Sequence, residues 1–316
     1  KIFNSSNLEK ATRTNITGMF VKNLLVNFAS ISSRYALADV QDTLKNRPAV
    51  VVAAGPSLNK QLPTLKKYQH LLTLIAVDSV WSVLTEHGIV PDIVVALDAL
   101  NVPAWTPDNF DPRSLLMVDV GCNQAMFESV STPMLVTSNH PSEAAICTTL
   151  GTPVDTFPSG GSVATKAFNL ALWMGANPVI FVGQDLAYTD GKDHADGYQY
   201  AHDYASGLRT ERSALGFDVE GYYGGRVRTE RQFMHYKAWF EGRIKQLDSS
   251  ILVINGTEGG ARIEGTAQLP LATVCNELAS VFNNKPVVHG AAPSRCEELS
   301  LQDRCKAIED LRDRLA

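Results

Sequence analysis

The stretch Ala49–Leu58, AVVVAAGPSL, decides how this chain is read. Its first six residues form an unbroken apolar, β-branched run, the pattern of a strand covered on both faces. Gly55-Pro56-Ser57 then turns the chain, and a helix is predicted from Asn59 to Tyr68. The unit recurs. Leu72–Val77 (LTLIAV) ends in Asp78-Ser79 and leads into a helix through Trp81 and Leu84. Ile93–Leu97, Leu115–Val120, Met134–Thr137, Pro178–Val182 and Ile251–Ile254 are further runs of this kind, most of them separated by helical stretches. Short buried strands alternating with helices predict an α/β fold: a Rossmann-like, doubly wound, mostly parallel sheet. An all-helical reading fails, because the runs are too short and too β-branched.

Outside the strands, Ile16, Phe20, Leu24, Leu25 and Phe28 recur near a 3.6-residue period, so residues 8–45 read as helical until Arg47-Pro48. The expected organisation is a helical N-terminal segment at 1–47, a nucleotide-sugar-binding catalytic domain at 48–268 and a helical C-terminal segment at 269–316. Within the middle domain, residues 185–228 are rich in Gly, Tyr, Asp and His. That segment is too long for an idle connection and reads as a lid or insert.

Composition narrows the function. The chain has 316 residues, 45% of them hydrophobic and 19% charged, as expected of a globular protein with a full core. A net charge of −5 argues against nucleic-acid binding. Cys122, Cys147, Cys275, Cys296 and Cys305 contain no CxxC pair, so reduced thiols and a cytoplasmic location are expected rather than zinc or disulfides. No apolar run approaches the roughly 20 residues of a membrane span. Lys1 stands where Met would be and no signal-peptide pattern follows, which reads as a trimmed or internal start.

In open α/β sheets, ligands sit beyond the carboxyl ends of the strands. Four groups of residues fall there. Gly55, Pro56 and Ser57 offer close backbone approach and helix-start amides to a phosphate, or else an ordinary turn whose serine caps the helix. They match neither GxGxxG nor GxxxxGK[ST]. Asp78 and Ser79 end the second strand. Ser159, Gly160, Gly161 and Ser162 precede a strong helix and form either an anion cradle or a glycine-rich cap. Gln184 and Asp185 end the sixth strand, with His194 nine positions on; Asp185 or His194 is the candidate base for an incoming hydroxyl. Thr257 and Glu258 open a glycine-rich loop after the last strand and could hold ribose or sugar hydroxyls. Tyr188, Tyr198, Tyr200, Tyr204, Tyr222 and Tyr223 crowd the insert, as in sugar or base pockets. Arg209, Arg212, Arg226, Arg228 and Arg231 could neutralise an anion. No metal ligands are assigned.

Taken together, VVVAAGPSLNK, IAVDSVWSVLTEHGIVPDIVVALD, FPSGGSVATKAFNLALWMGANPVIFVGQDLAYTDGKDHADG and INGTEGGARIEGT resemble a known family. It is the central domain of the bacterial motility-associated factors, shared with archaeal 6-hydroxymethylpterin pyrophosphokinase-like proteins. The resemblance runs from Asn15 to Thr266. It implies a flagellin glycosyltransferase that moves a nonulosonic acid, of pseudaminic or legionaminic type, from a CMP-activated donor to Ser or Thr. GPSL and the later SGG and GQD stretches are also similar to bacterial sialyltransferases that use CMP-sialic acid. The implied partners are flagellin and the CMP-sugar, with no obligatory cofactor and Mg²⁺ left open.

Two other functions are carried forward. A 6-hydroxymethylpterin pyrophosphokinase would use ATP, with Mg²⁺ on carboxylates such as Asp78, Asp98 and Asp185. A non-catalytic flagellin-binding module would bind no nucleotide.

Overall fold

The computed structural model describes residues 18–28, 31, 34–100, 111–128, 133–197 and 216–288. The chain forms two compact units, one of residues 40–95 and 159–290, the other of residues 1–39, 96–158 and 291–316.

In the first unit, β1 (Ala49–Val52), β2 (Thr73–Val77), β3 (Ile93–Ala96), β7 (Val179–Val182), β10 (Val253–Asn255) and β11 (Ala267–Gln268) run in the spatial order β11-β10-β7-β1-β2-β3. Their pairings are parallel; Val51 lies opposite Ile75 on β2 and Phe181 on β7. The full burial of β1, β2 and β7 explains their continuous apolar sequences. From β1 the chain builds outward through β2 and β3, then returns to β1's other side with β7 and continues to β10 and β11. The direction of growth therefore reverses between β1 and β7. This is the switch point at which a crevice opens beyond the strand ends.

Three phenylalanines hold the covering helices in place. Phe181 of β7 meets Phe168 of the Val163–Trp173 helix at 5.1 Å and Phe240 of the Arg231–Lys245 helix at 5.1 Å. Phe168 and Phe240 meet at 5.8 Å, and all three are fully buried. The Leu271–Val281 helix lies against Leu58–Tyr68, where the Tyr68 hydroxyl donates to the Asn276 side-chain oxygen. Residues beyond 288 of the expected C-terminal helical segment, with Cys296 and Cys305, lie outside the described residues.

The second unit carries β4 (Leu115–Asp119), β5 (Met134–Ser138) and β6 (Asp155–Thr156), parallel and in that order. A helix over residues 18–27 is fastened here by asparagines: Asn27 Nδ2 donates to the carbonyls of Val120 and Cys122 at 3.0 and 2.7 Å. The helical reading of residues 8–45 needs correction. Beyond this helix, Tyr35 pairs with the edge of β5, its N–H donating to Met134 O at 2.7 Å, and Leu37–Val40 is a short 3₁₀ turn. Backbone pairing with a strand edge outweighs the helical period there.

All seven apolar runs are strands. β6 and β11, of two residues each, and a hairpin of β8 (Phe217–Glu220) with β9 (Arg226–Thr229) were not predicted. The hairpin is antiparallel and largely exposed, so no buried run marks it. Its β9 strand is tied back by Tyr188 N–H to Arg228 O (2.7 Å) and Thr229 Oγ1 to Leu186 O (2.8 Å). Cys122, Cys147 and Cys275 are buried free thiols, and burial pushes those of Cys147 and Cys275 up to about 12. No helix among the described residues is long and apolar enough to cross a membrane.

Phe168 has neighbours on two elements and no solvent to relax into. Phe168→Ala is expected to cost about 3–5 kcal/mol, read as a lowered urea midpoint.

Candidate functional site

The switch point is organised around one carboxylate. Asp185 follows β7 and is 1% exposed. A charge so far from water needs donors, and the β1 turn supplies them. Ser57 Oγ donates to Asp185 Oδ1 at 2.6 Å, and Ser57 N–H approaches both carboxylate oxygens at 3.2–3.3 Å. Thr189 Oγ1 adds a bond of 2.6 Å from Asp185's own loop. Burial raises the Asp185 pKa, opposed by the Ser57 and Thr189 hydrogen bonds and the nearby Lys60 charge.

Glycines let the loops close on this carboxylate. A Cβ at Gly55 would lie 2.1 Å from Asp185 Oδ2, and one at Gly259 would lie 2.0 Å from Ser57 Oγ. Gly260, at φ +69°, would place a Cβ 2.1 Å from the Asp185 carbonyl oxygen. Ala261 N–H donates to that same oxygen at 2.7 Å. Thr257 Oγ1 accepts from Gln184 N–H (3.1 Å), and Gln61 Nε2 donates to Glu258 Oε2 (2.9 Å). Gly55–Ser57, Gln184–Thr189 and Thr257–Ala261 are thus one knot at the ends of β1, β7 and β10. The sequence reading found all three loops but not Gln61 or Thr189, whose only signal was polarity.

The knot changes the expected roles. Asp185, 1% exposed, accepts from Ser57 and Thr189 and ties their loops together. The amides of Gly55 and Ser57 are engaged with Gly183 O (2.8 Å) and Asp185, and Pro56 has none to give. Thr257 is fully buried, and Glu258 accepts from Leu271 N–H (2.9 Å) at the start of the Leu271–Val281 helix. Among the described residues, no acceptor meets the backbone N–H groups of Glu258, Gly259 or Gly260. Glu258 and Gly260 both have positive φ, +56° and +69°.

At the second expected cradle, the helix-capping alternative is what forms. Ser162 caps the Val163–Trp173 helix in a capping box with Thr165, and Gly160 N–H donates to Thr165 Oγ1 at 2.8 Å. Gly161 N–H reaches Ser159 Oγ at 3.4 Å. Trp239 covers Gly160, where a Cβ would lie 2.3 Å from the indole. This helix runs back to β7, so its N-terminus stands at the carboxyl edge of the sheet.

His194 lies at the same edge. The next residue donates from Ala195 N–H to Ala54 O at 2.8 Å, pinning the segment beside the β1 turn. Its Nδ1 is 3.2 Å from Asp193 Oδ1, and the side chain is 29% exposed. Sequence reasoning missed His235, an exposed imidazole of the Arg231–Lys245 helix that borders Gly161. Asp78 is buried and accepts at Oδ1 from the N–H of its neighbour Ser79 at 2.8 Å. Asp98 belongs to the other compact unit and accepts from Leu100 N–H. Tyr198, Tyr200, Tyr204, Arg209 and Arg212 lie outside the described residues. Among the described residues, no group of three or more His, Cys, Asp or Glu side chains could hold a metal ion.

Removing Asp185 strands two hydroxyls and an amide. Asp185→Ala should cost about 3 kcal/mol by urea denaturation. The pH dependence has a defined sign. A raised carboxyl pKa means that the fold holds this proton more tightly than the unfolded chain does. The Asp185 contribution is therefore greatest below its ordinary 3.8 and declines as pH rises through the folded value. The stability of wild type relative to Asp185→Asn should fall as pH rises above 3.8.

No curated protein sequence matches the chain. Among solved structures it is similar to the MAf glycosyltransferase from Magnetospirillum magneticum AMB-1, with a TM-score of 0.58 over 92% of this chain at 16% identity. The chain spans 42% of that protein's length, and at this identity the likeness is one of fold. The family model described as 6-hydroxymethylpterin diphosphokinase MptE-like matches residues 22–191, more than half of the chain. That span includes both the β1 turn and Asp185, the two sides of the switch point. The chain belongs to the 6-hydroxymethylpterin diphosphokinase MptE-like family.

Proposed function

We propose that this protein is a glycosyltransferase that moves a nonulosonic acid from a CMP-activated donor to a Ser or Thr hydroxyl of flagellin. The observation that carries the reading is the knot at the switch point, where the backbone N–H groups of Glu258–Gly260 meet no acceptor among the described residues. Such a site takes one phosphate group without a P-loop lysine. The fold likeness to a glycosyltransferase over 92% of the chain supports it.

The reaction is a single inverting displacement. The acceptor oxygen bonds to the anomeric carbon as the bond from that carbon to the CMP oxygen breaks, and CMP leaves with the electron pair. The amides of Glu258, Gly259 and Gly260 would stabilise the departing phosphate. Gly55–Ser57 lets that loop sit close, and Ser159–Ser162 borders the same sheet edge. His194, beside the β1 turn, would take the hydroxyl proton. Its contact with Asp193 suits an imidazole that becomes charged. Asp185 holds the loops.

The diphosphokinase activity named by the family is the second reading. Of the carboxylates expected to hold Mg²⁺ for it, Asp185 already accepts from Ser57 and Thr189.

Calorimetry with CMP and ATP, each with and without Mg²⁺, separates the two. Metal-independent CMP binding is expected; ATP binding that requires Mg²⁺ would move the assignment to diphosphate transfer. In a transfer assay on flagellin, His194→Ala should lose about 100-fold or more in rate while keeping CMP affinity. Undiminished transfer by His194→Ala together with loss in His235→Ala would place the base on the Arg231–Lys245 helix instead.

A further inference from the structure

The hairpin turn between β8 and β9 carries a polar group that the fold leaves unused. Tyr222 is 7% exposed, and its hydroxyl is buried without a hydrogen-bond partner. The turn is fastened to the knot: Tyr222 N–H donates to Gly260 O at 2.9 Å, and Gly221 pairs with Ala261. So the orphan hydroxyl belongs to a residue bonded to the loop whose amides await an anion. Beside it stands Tyr223, 75% exposed, its ring 4.7 Å from that of Tyr222 at 75°.

A buried hydroxyl without a partner is a standing penalty in the free protein, and phenylalanine would fill the same space without it. The hydroxyl is therefore explained by a partner that arrives from outside. The partner's chemistry can be narrowed. The Glu258 carboxylate lies near enough to act on Tyr222, so this position disfavours a second anion and suits a neutral group. A phenol both donates and accepts, as sugar hydroxyls do. An exposed aromatic ring beside such a hydroxyl gives a sugar an apolar face and a polar edge together.

We propose that Tyr222 and Tyr223 form the subsite for the sugar part of the donor, with the Tyr222 hydroxyl bonding a neutral oxygen of the sugar and the Tyr223 ring covering it. The proposal rests on the glycosyltransferase reading and names where its sugar is read. The hydroxyl is enclosed, so the turn must shift to admit the ligand. Gly224 and Gly225, both at positive φ with open space where a Cβ would stand, give the turn that freedom.

The test is Tyr222→Phe, which removes only the orphan oxygen, with Tyr223→Ala as a second variant. Calorimetry with CMP-N-acetylneuraminate and with CMP should show about tenfold weaker binding of the CMP-sugar by Tyr222→Phe and unchanged binding of CMP. Tyr223→Ala should show the same selectivity. The melting temperature of Tyr222→Phe should equal or exceed that of wild type, since a buried unpaired hydroxyl is gone. Unchanged CMP-sugar binding in both variants, equal loss for CMP and CMP-sugar, or a lowered melting temperature for Tyr222→Phe would overturn the subsite. A wild-type protein that binds neither ligand would instead remove the parent reading and the subsite with it.

Discussion

Burying the Asp185 carboxylate is the constraint on which the rest of the site depends. A carboxylate 1% exposed must recruit donors, and the donors nearest β7 belong to the turn after β1. Once Ser57 is drawn in, the backbone at Gly55 passes so close that no side chain fits. The Thr257–Ala261 loop then closes from the other side, with glycines at 259 and 260 for the same reason. Three loops, far apart in sequence, become one rigid floor at the point where strand order reverses.

Saturation of hydrogen bonds separates the groups that the fold uses from those that it leaves unpaired. The amides of Gly55 and Ser57 serve the knot, and those of Gly160 and Gly161 serve the loop that caps a helix. Among the described residues, the amides of Glu258–Gly260 and the Tyr222 hydroxyl one hydrogen bond away stay unmet, as do the side-chain oxygen of Gln184 and Nδ2 of Asn255. A protein interior tolerates few such groups.

The strands were legible because each of the seven runs is buried on both faces, and an unbroken apolar run needs no knowledge of its neighbours. The site loops were legible as places, since strand ends in an α/β sheet are where polar residues converge. Their roles were not. Ser57 and Asp185 read as a phosphate anchor and a base, yet they bond each other across 128 positions. Ser162 read first as part of an anion cradle with a helix cap as the alternative, and the position of Thr165 makes it a cap. The β8–β9 hairpin left no apolar signal because its faces are mostly exposed, and the helical period at residues 34–45 gave way to pairing with β5.

By itself, then, the sequence determined the alternating α/β architecture, the seven main strands and the family, because these are written in local patterns of burial and in contiguous motifs. Tertiary structure alone decided which strand stands beside β1, which carboxylate is sealed from solvent, and which amides and hydroxyls stay unpaired. Those properties belong to pairs of residues brought together from distant parts of the chain, and no single segment carries them.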